Sequence, residues 1–277
     1  MLMPVPTPPP VAWRPPWRLP PQGLAVFHGE GNAPRLSHYF LPRLALEGKR
    51  ILFLDGANCV DPRLMARLAG QRGMSFAQFN QQIMLARAFT CFQLTELIRR
   101  VPQFLAEFPA QVLMVTAFPE LYFDEDIRQA DAHAAFRQAL AYLRRWGLGA
   151  GDWGLGTGGR GKTEIRNSKI ETRDREAELR FSIFEFRPSV ENRQSTIGND
   201  QPPVPSPQYP APSTQPLSVA LFSAASGFQP PPGRKLFFSQ TCAAATELWK
   251  FQVDGEGQLR LAQQDAALAA PQMVNSE

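Results

Sequence analysis

The apolar residues of this chain fall into short unbroken runs separated by segments with helical spacing. Leu24–Phe27 is one such run, ending at His28-Gly29; Arg50–Leu54 (RILFL) and Val112–Thr116 (VLMVT) are others. Runs without polar alternation predict strands covered on both faces, as in a parallel sheet. Between them, Leu36–Leu46 has helical apolar spacing. Asp61-Pro62 predicts a helix through Leu68, with Asp61 as N-cap and Pro62 in the first turn. Ile83–Ala86 is a further short strand. Phe92–Phe108 carries Leu94, Ile98, Val101, Leu105 and Phe108 on one stripe, and Pro102 predicts a kink or a break within it. Asp126–Trp146 sets Ile127, Ala134, Leu140 and Leu143 on one side, with Arg128, Asp131, Arg137 and Arg144 elsewhere.

The alternation stops over 147–216. A glycine-rich stretch (GLGAGDWGLGTGGRG) gives way to mixed charge and then to a Pro/Ser/Gln tract, and only Leu179–Phe186 has a core-like period. A segment of that length with no element of its own predicts a disordered, low-complexity insertion. The rhythm then resumes. Leu217–Phe222 reads as a core strand and Lys235–Ala245 as a helix. Glu247–Val253, the turn Asp254–Gly257 and Gln258–Ala262 read as a C-terminal β-hairpin. The expected organisation is a proline-rich arm (1–22), a first core part (23–146), the insertion (147–216), a last core part (217–263) and a tail (264–277). Repeated strand–loop–helix units make the fold class α/β, a mostly parallel sheet flanked by helices.

Composition adjusts this picture at the ends. The chain has 277 residues, room for one sizeable α/β domain with extras. Its 27 prolines are about double the roughly 5% average share, and they cluster in the arm and the insertion. In the arm, Trp13, Arg14, Trp17 and Arg18 either stack on a partner or tuck against the domain. A net charge of +4 is compatible with a polyanionic partner without requiring one. Cys59, Cys91 and Cys242 are widely spaced and show no metal-ligand pattern, which fits a reducing compartment. No stretch reaches the ~20 apolar residues that span a bilayer, and the N-terminus lacks a signal-peptide pattern. The expectation is a cytoplasmic chain with no membrane association.

Candidate chemistry sits in the loop after the first strand, Gly29–Ser37 (GEGNAPRLS), where such sheets bind ligands. This loop resembles the phosphate-binding loop of the RecA/RadA recombinase family, G-x-x-x-x-G-K-[ST]. Arg50–Arg63 (RILFLDGANCVDPR) resembles the recombinase strand ending in I-D-T-E-G. Ala86–Ile98 (ARAFTCFQLTELI) resembles the "ARAF…Q" segment, and Val112–Thr116 stands at the second acidic strand. The likeness covers about 23–146 and resumes over 217–262.

What the resemblance implies is a RecA-like ATPase core that has lost its chemistry. The positions for the last glycine, the lysine and the magnesium hydroxyl read Pro34, Arg35 and Leu36. The catalytic carboxylate aligns with Ala57 and the later acid with Thr116. Proline offers no N–H to a phosphate, leucine cannot hold a metal, and the planar guanidinium of Arg35 differs from an ammonium. The expected catalytic residues and metal ligands are therefore none, and no cofactor is expected. Retained ATP is the lesser reading; it would rest on Gly29, Glu30, Gly31, Arg35, Ser37 and Asp55, although Asp55 also reads as a strand-end cap of the next turn. The function implied is a pseudo-ATPase, a binding or regulatory module in DNA recombination or repair. Its partners would be DNA or a recombinase-type protein, and subunits in this family stack into homo-oligomers. Two alternatives stay open: a divergent active DNA-dependent ATPase using Arg35 and Glu30, or a scaffold without a nucleic-acid role.

Weaker signals have blander readings. Asp124-Glu125-Asp126 reads as helix N-terminal charge rather than a cation site. His28, His38 and His133 lack ligand spacing. Gly154–Gly161 with Lys162-Thr163 reads as a chance match to a phosphate loop. A cationic helix face with Arg99, Arg100, Arg144 and Arg145 has two open readings, a contact with DNA or a solvated face.

Overall fold

The computed structural model of the protein describes residues 19–148, 217–227, 229–255 and 257–264. The readings at Trp13 to Arg18, Gly154–Gly161, Lys162-Thr163, Leu179–Phe186 and the tail beyond Gln264 lie outside these residues.

Seven strands form one sheet: β1 (Gly23–His28), β2 (Ile51–Asp55), β3 (Ile83–Arg87), β4 (Val112–Thr116), β5 (Ser218–Ser223), β6 (Glu247–Val253) and β7 (Leu259–Gln264). Their spatial order is β3-β2-β4-β5-β1-β6-β7. All neighbours pair in parallel except β6 and β7, which form the C-terminal antiparallel hairpin. Strands β1, β2, β4 and β5 read as nearly unbroken apolar runs because both of their faces are covered. Ala25, Phe27, Ile51, Phe53, Met114 and Phe222 point to one face; Leu24, Val26, Leu52, Leu54, Leu113 and Leu221 point to the other.

Helices α1 (Leu41–Leu46), α2 (Pro62–Gly70) and α3 (Phe76–Asn80) cover the first face. The second face carries α4 (Cys91–Arg99), α5 (Val101–Glu107), α6 (Gln129–Leu148) and α7 (Leu236–Ala243). This segregation follows from one crossover hand. The steps β1 to β2 to β3 move toward one edge of the sheet, those from β3 through β6 move back, and equal handedness puts the two sets of helices on opposite faces.

Local chemistry sets the helix ends. Asp61 caps α2 by accepting from the N–H groups of Arg63 (3.0 Å) and Leu64 (3.1 Å), with Pro62 in the first turn. The long stripe 92–108 divides at Arg100, and Pro102 falls in the first turn of α5, where its missing N–H is not needed. Leu36–Leu46 departs from a continuous helix. Pro34 and Pro42 each start a short element, a 3-10 helix over Ala33–Tyr39 and then α1. The last long helix starts at Gln129 rather than Asp126. Gly147, near its end, packs on β1; an added Cβ would stand 2.8 Å from the Gly23 carbonyl.

No helix among the described residues is long and apolar enough to cross a membrane.

Candidate functional site

The carboxyl ends of β1, β2, β4 and β5 lie side by side, so the loops that leave them share one edge of the sheet. Gly29–Ser37 leaves β1 on the face of α1 and α2, whereas the neighbouring exit of β5 leads to α7 on the opposite face. Strand exits that diverge in this way create the crevice where open α/β sheets hold ligands.

The β1 exit is tied down by its own backbone. Gly29 donates its N–H to Ser223 O (3.1 Å), and its carbonyl accepts from Ser226 Oγ (2.8 Å). Gly31 turns the chain with a φ of 57°, a conformation that favours glycine. Arg35 donates its N–H to Asn32 O (2.9 Å), and Pro34 has none to give. The loop therefore leads into a 3-10 turn whose amides are partly spent, not into a long helix with free N–H groups. Glu30 is exposed, and Ser37 is buried with a hydroxyl that has no hydrogen-bond partner.

Arg35 reaches sideways. Its guanidinium meets the Asp61 carboxylate at 2.6 Å, half-exposed. Beneath this pair His38 is fully buried, its Nδ1 2.8 Å from Arg35 O and its Nε2 3.3 Å from the Asp61 nitrogen. A carbonyl on one side and an N–H on the other require the neutral ring with the proton on Nδ1. Burial holds this imidazole below the ordinary histidine value, against the raising effect of the Arg35 carbonyl.

Asp55 ends β2 with no exposed surface. Its Oδ1 accepts from Thr116 Oγ1 (3.0 Å) and Cys59 N–H (3.1 Å), and its Oδ2 accepts from Val60 N–H (3.1 Å) with Arg87 Nε at 3.5 Å. Thr116 in turn accepts from the Ala57 N–H at 3.1 Å. Gly56 makes this closeness attainable, since a Cβ there would lie 2.6 Å from Thr116 O. Burial, followed by the charge of Asp55, pushes the Cys59 thiol up to about 12, so it is no nucleophile at neutral pH. Two residues beside this network, Asn58 (φ 48°) and Ala117 (φ 57°), adopt the left-handed region without being glycine.

The structure thus gathers Gly29, Glu30, Gly31, Arg35, Ser37 and Asp55 at one sheet edge, with Ala57 and Thr116 among them. It gives Arg35 and Asp55 partners of their own. Among the described residues no three His, Cys, Asp or Glu side chains form a metal-holding group.

Two groups escaped the sequence reading. Glu120, just past β4, accepts from the Ala224 N–H, while its Oε2 is enclosed with no partner. Burial raises its carboxyl to about 7. Arg234 is buried and donates to the carbonyls of Tyr122 (3.2 Å), Asp124 and Ile127. No spacing marks either residue, because their neighbours lie about a hundred positions away.

The remaining candidates have structural partners of their own. Asp124 accepts from the Asp126 N–H (3.1 Å) ahead of α6 and forms no part of that helix. The Nε2 of His133 meets Gly233 O at 2.7 Å, and that of His28 meets Gln264 Oε1 at 2.8 Å. Arg99 and Arg100 both bind Glu96 at 2.6 Å, and Arg145 lies over the Trp146 ring. Comparison with protein-family models and with curated proteins finds no match for this chain.

Proposed function

We propose that the chain is a RecA/RadA-like pseudo-ATPase, a non-catalytic module that binds or regulates in DNA recombination or repair. Its partner in this reading is DNA or a recombinase-type protein, its compartment the cytoplasm, and self-association follows from the same resemblance. The observation that supports it is the closed state of the sheet edge. Where the resemblance requires a lysine, a water-activating carboxylate and a metal-positioning acid, Arg35 is held by Asp61, Ala57 has no carboxyl, and Thr116 is bonded to a saturated Asp55. A magnesium triphosphate would find few free donors there, and no acid at Ala57 or Thr116. Losing both general base and metal site removes several kcal/mol of transition-state stabilisation.

The test is phosphate release by the purified chain with ATP, magnesium and single-stranded DNA. Release at the background rate is expected. Turnover that Arg35→Ala abolishes would replace this reading with that of an active ATPase.

A further inference from the structure

From Pro62 to Thr95 the sequence holds no Asp and no Glu, but four arginines: Arg63, Arg67, Arg72 and Arg87. Arg87 turns inward to Asp55. The other three are exposed and form no ion pair with any described residue. Arg63 and Arg67 stand four apart, so they share one face of α2 about 6 Å apart along its axis. Arg72 follows in the turn that closes that helix, where its N–H meets Ala69 O at 2.9 Å. Three exposed arginines thus stand on α2 and on the turn that closes it. Gln71 in the same turn, and Phe76 and Gln78 in the following α3, are also exposed.

We infer that this α2–α3 face is a binding surface for the sugar-phosphate backbone of a single-stranded nucleic acid. Charge complementarity selects a polyanion. All three cations are arginines, whose planar fork bonds phosphate oxygens in pairs, and an adjacent aromatic ring gives a base a surface on which to stack. An anionic membrane fits less well. The apolar side of α2 (Leu64, Met65, Leu68, Ala69) is already buried, so this helix has no apolar stripe to lay into lipids. The surface adjoins the Gly29–Ser37 loop at its N-terminal end, where Asp61 holds Arg35, but it does not depend on nucleotide. It deepens the DNA-partner part of the proposed function and rests on that part alone. The arginine pair of α4, which the sequence also offered for DNA, is neutralised in part by Glu96.

The experiment measures binding of the full chain to a labelled oligothymidylate across a salt series, for the wild type and for the triple variant Arg63→Gln, Arg67→Gln, Arg72→Gln. Circular dichroism and urea midpoints check folding; all three side chains face solvent, so neither should move. Phosphatidylserine vesicles form a second arm. Each backbone contact on a single strand contributes about 0.7 to the slope of log affinity against log salt, so the variant should lose about 2 from that slope. Wild-type binding that the folded variant retains with the same slope overturns the assignment of this face and leaves the DNA partner standing. No wild-type binding overturns both, and the hydrolysis assay still judges the pseudo-ATPase separately. Retention on vesicles without retention on the oligonucleotide also overturns the inference, in favour of a membrane surface.

Discussion

Asp55 and Glu120 are acids enclosed at the carboxyl ends of the adjacent strands β2 and β4, and the two exits treat them in opposite ways. Asp55 is met by a hydroxyl, two backbone N–H groups and an arginine, so its charge is compensated wherever it points. Glu120 accepts from the Ala224 N–H, and its Oε2 is enclosed without a hydrogen bond to a described residue. A buried charge with partners can be held at little net cost, whereas an unfilled valence is expensive. One exit is a rigid turn around an anion; the other holds a proton near neutral pH.

Removing the compensated acid gives the largest effect. Asp55→Ala leaves Thr116, Cys59 and Val60 without their acceptor and Arg87 without its counter-charge, and should cost about 3–5 kcal/mol in urea unfolding. Next is Glu120. Its folded value of about 7 lies above the ordinary carboxyl value, so the folded state binds the proton more tightly. Stability is therefore fully present below the ordinary glutamate value and is lost as pH rises through about 7. Glu120→Gln should remove that loss, gaining up to about 3 kcal/mol above pH 8 and little below pH 4. A variant whose stability tracks the wild type across this range would end the contrast between the two exits.

Thr116→Val comes third. It deprives Asp55 of one donor and the Ala57 N–H of its acceptor, for an expected loss of about 1–2 kcal/mol by the same unfolding measurement. The smallest effect belongs to His38. With its folded value lowered by burial, stability is present above the ordinary histidine value and is lost as pH falls. His38→Gln should flatten that acid limb, and an unchanged limb would show that the ring charges without disturbing Asp61.

The central strands were readable because burial on both faces leaves their interiors apolar, as in Val112–Val115. The Asp61-Pro62 start of α2 and the division at Pro102 were readable because capping and proline chemistry are local. Helix α3 was missed although its signal was present: Ser75 and Gln78 form a capping box. The bonding at the candidate site was not readable in the same way. That Asp55 belongs to Thr116, Arg35 to Asp61 and Glu120 to Ala224 depends on which strands become neighbours, and no spacing along the chain encodes it.

The junction between α6 and β5 has a practical consequence. Leu217 donates its N–H to Trp146 O at 3.0 Å, so the chain re-enters the sheet beside the point where it leaves. A backbone whose two ends already touch is a natural socket for foreign sequence. Doubling whatever is spliced between them adds only about 0.6 kcal/mol of closure entropy. A reporter or affinity tag grafted there would travel with the protein without straining the strands on either side.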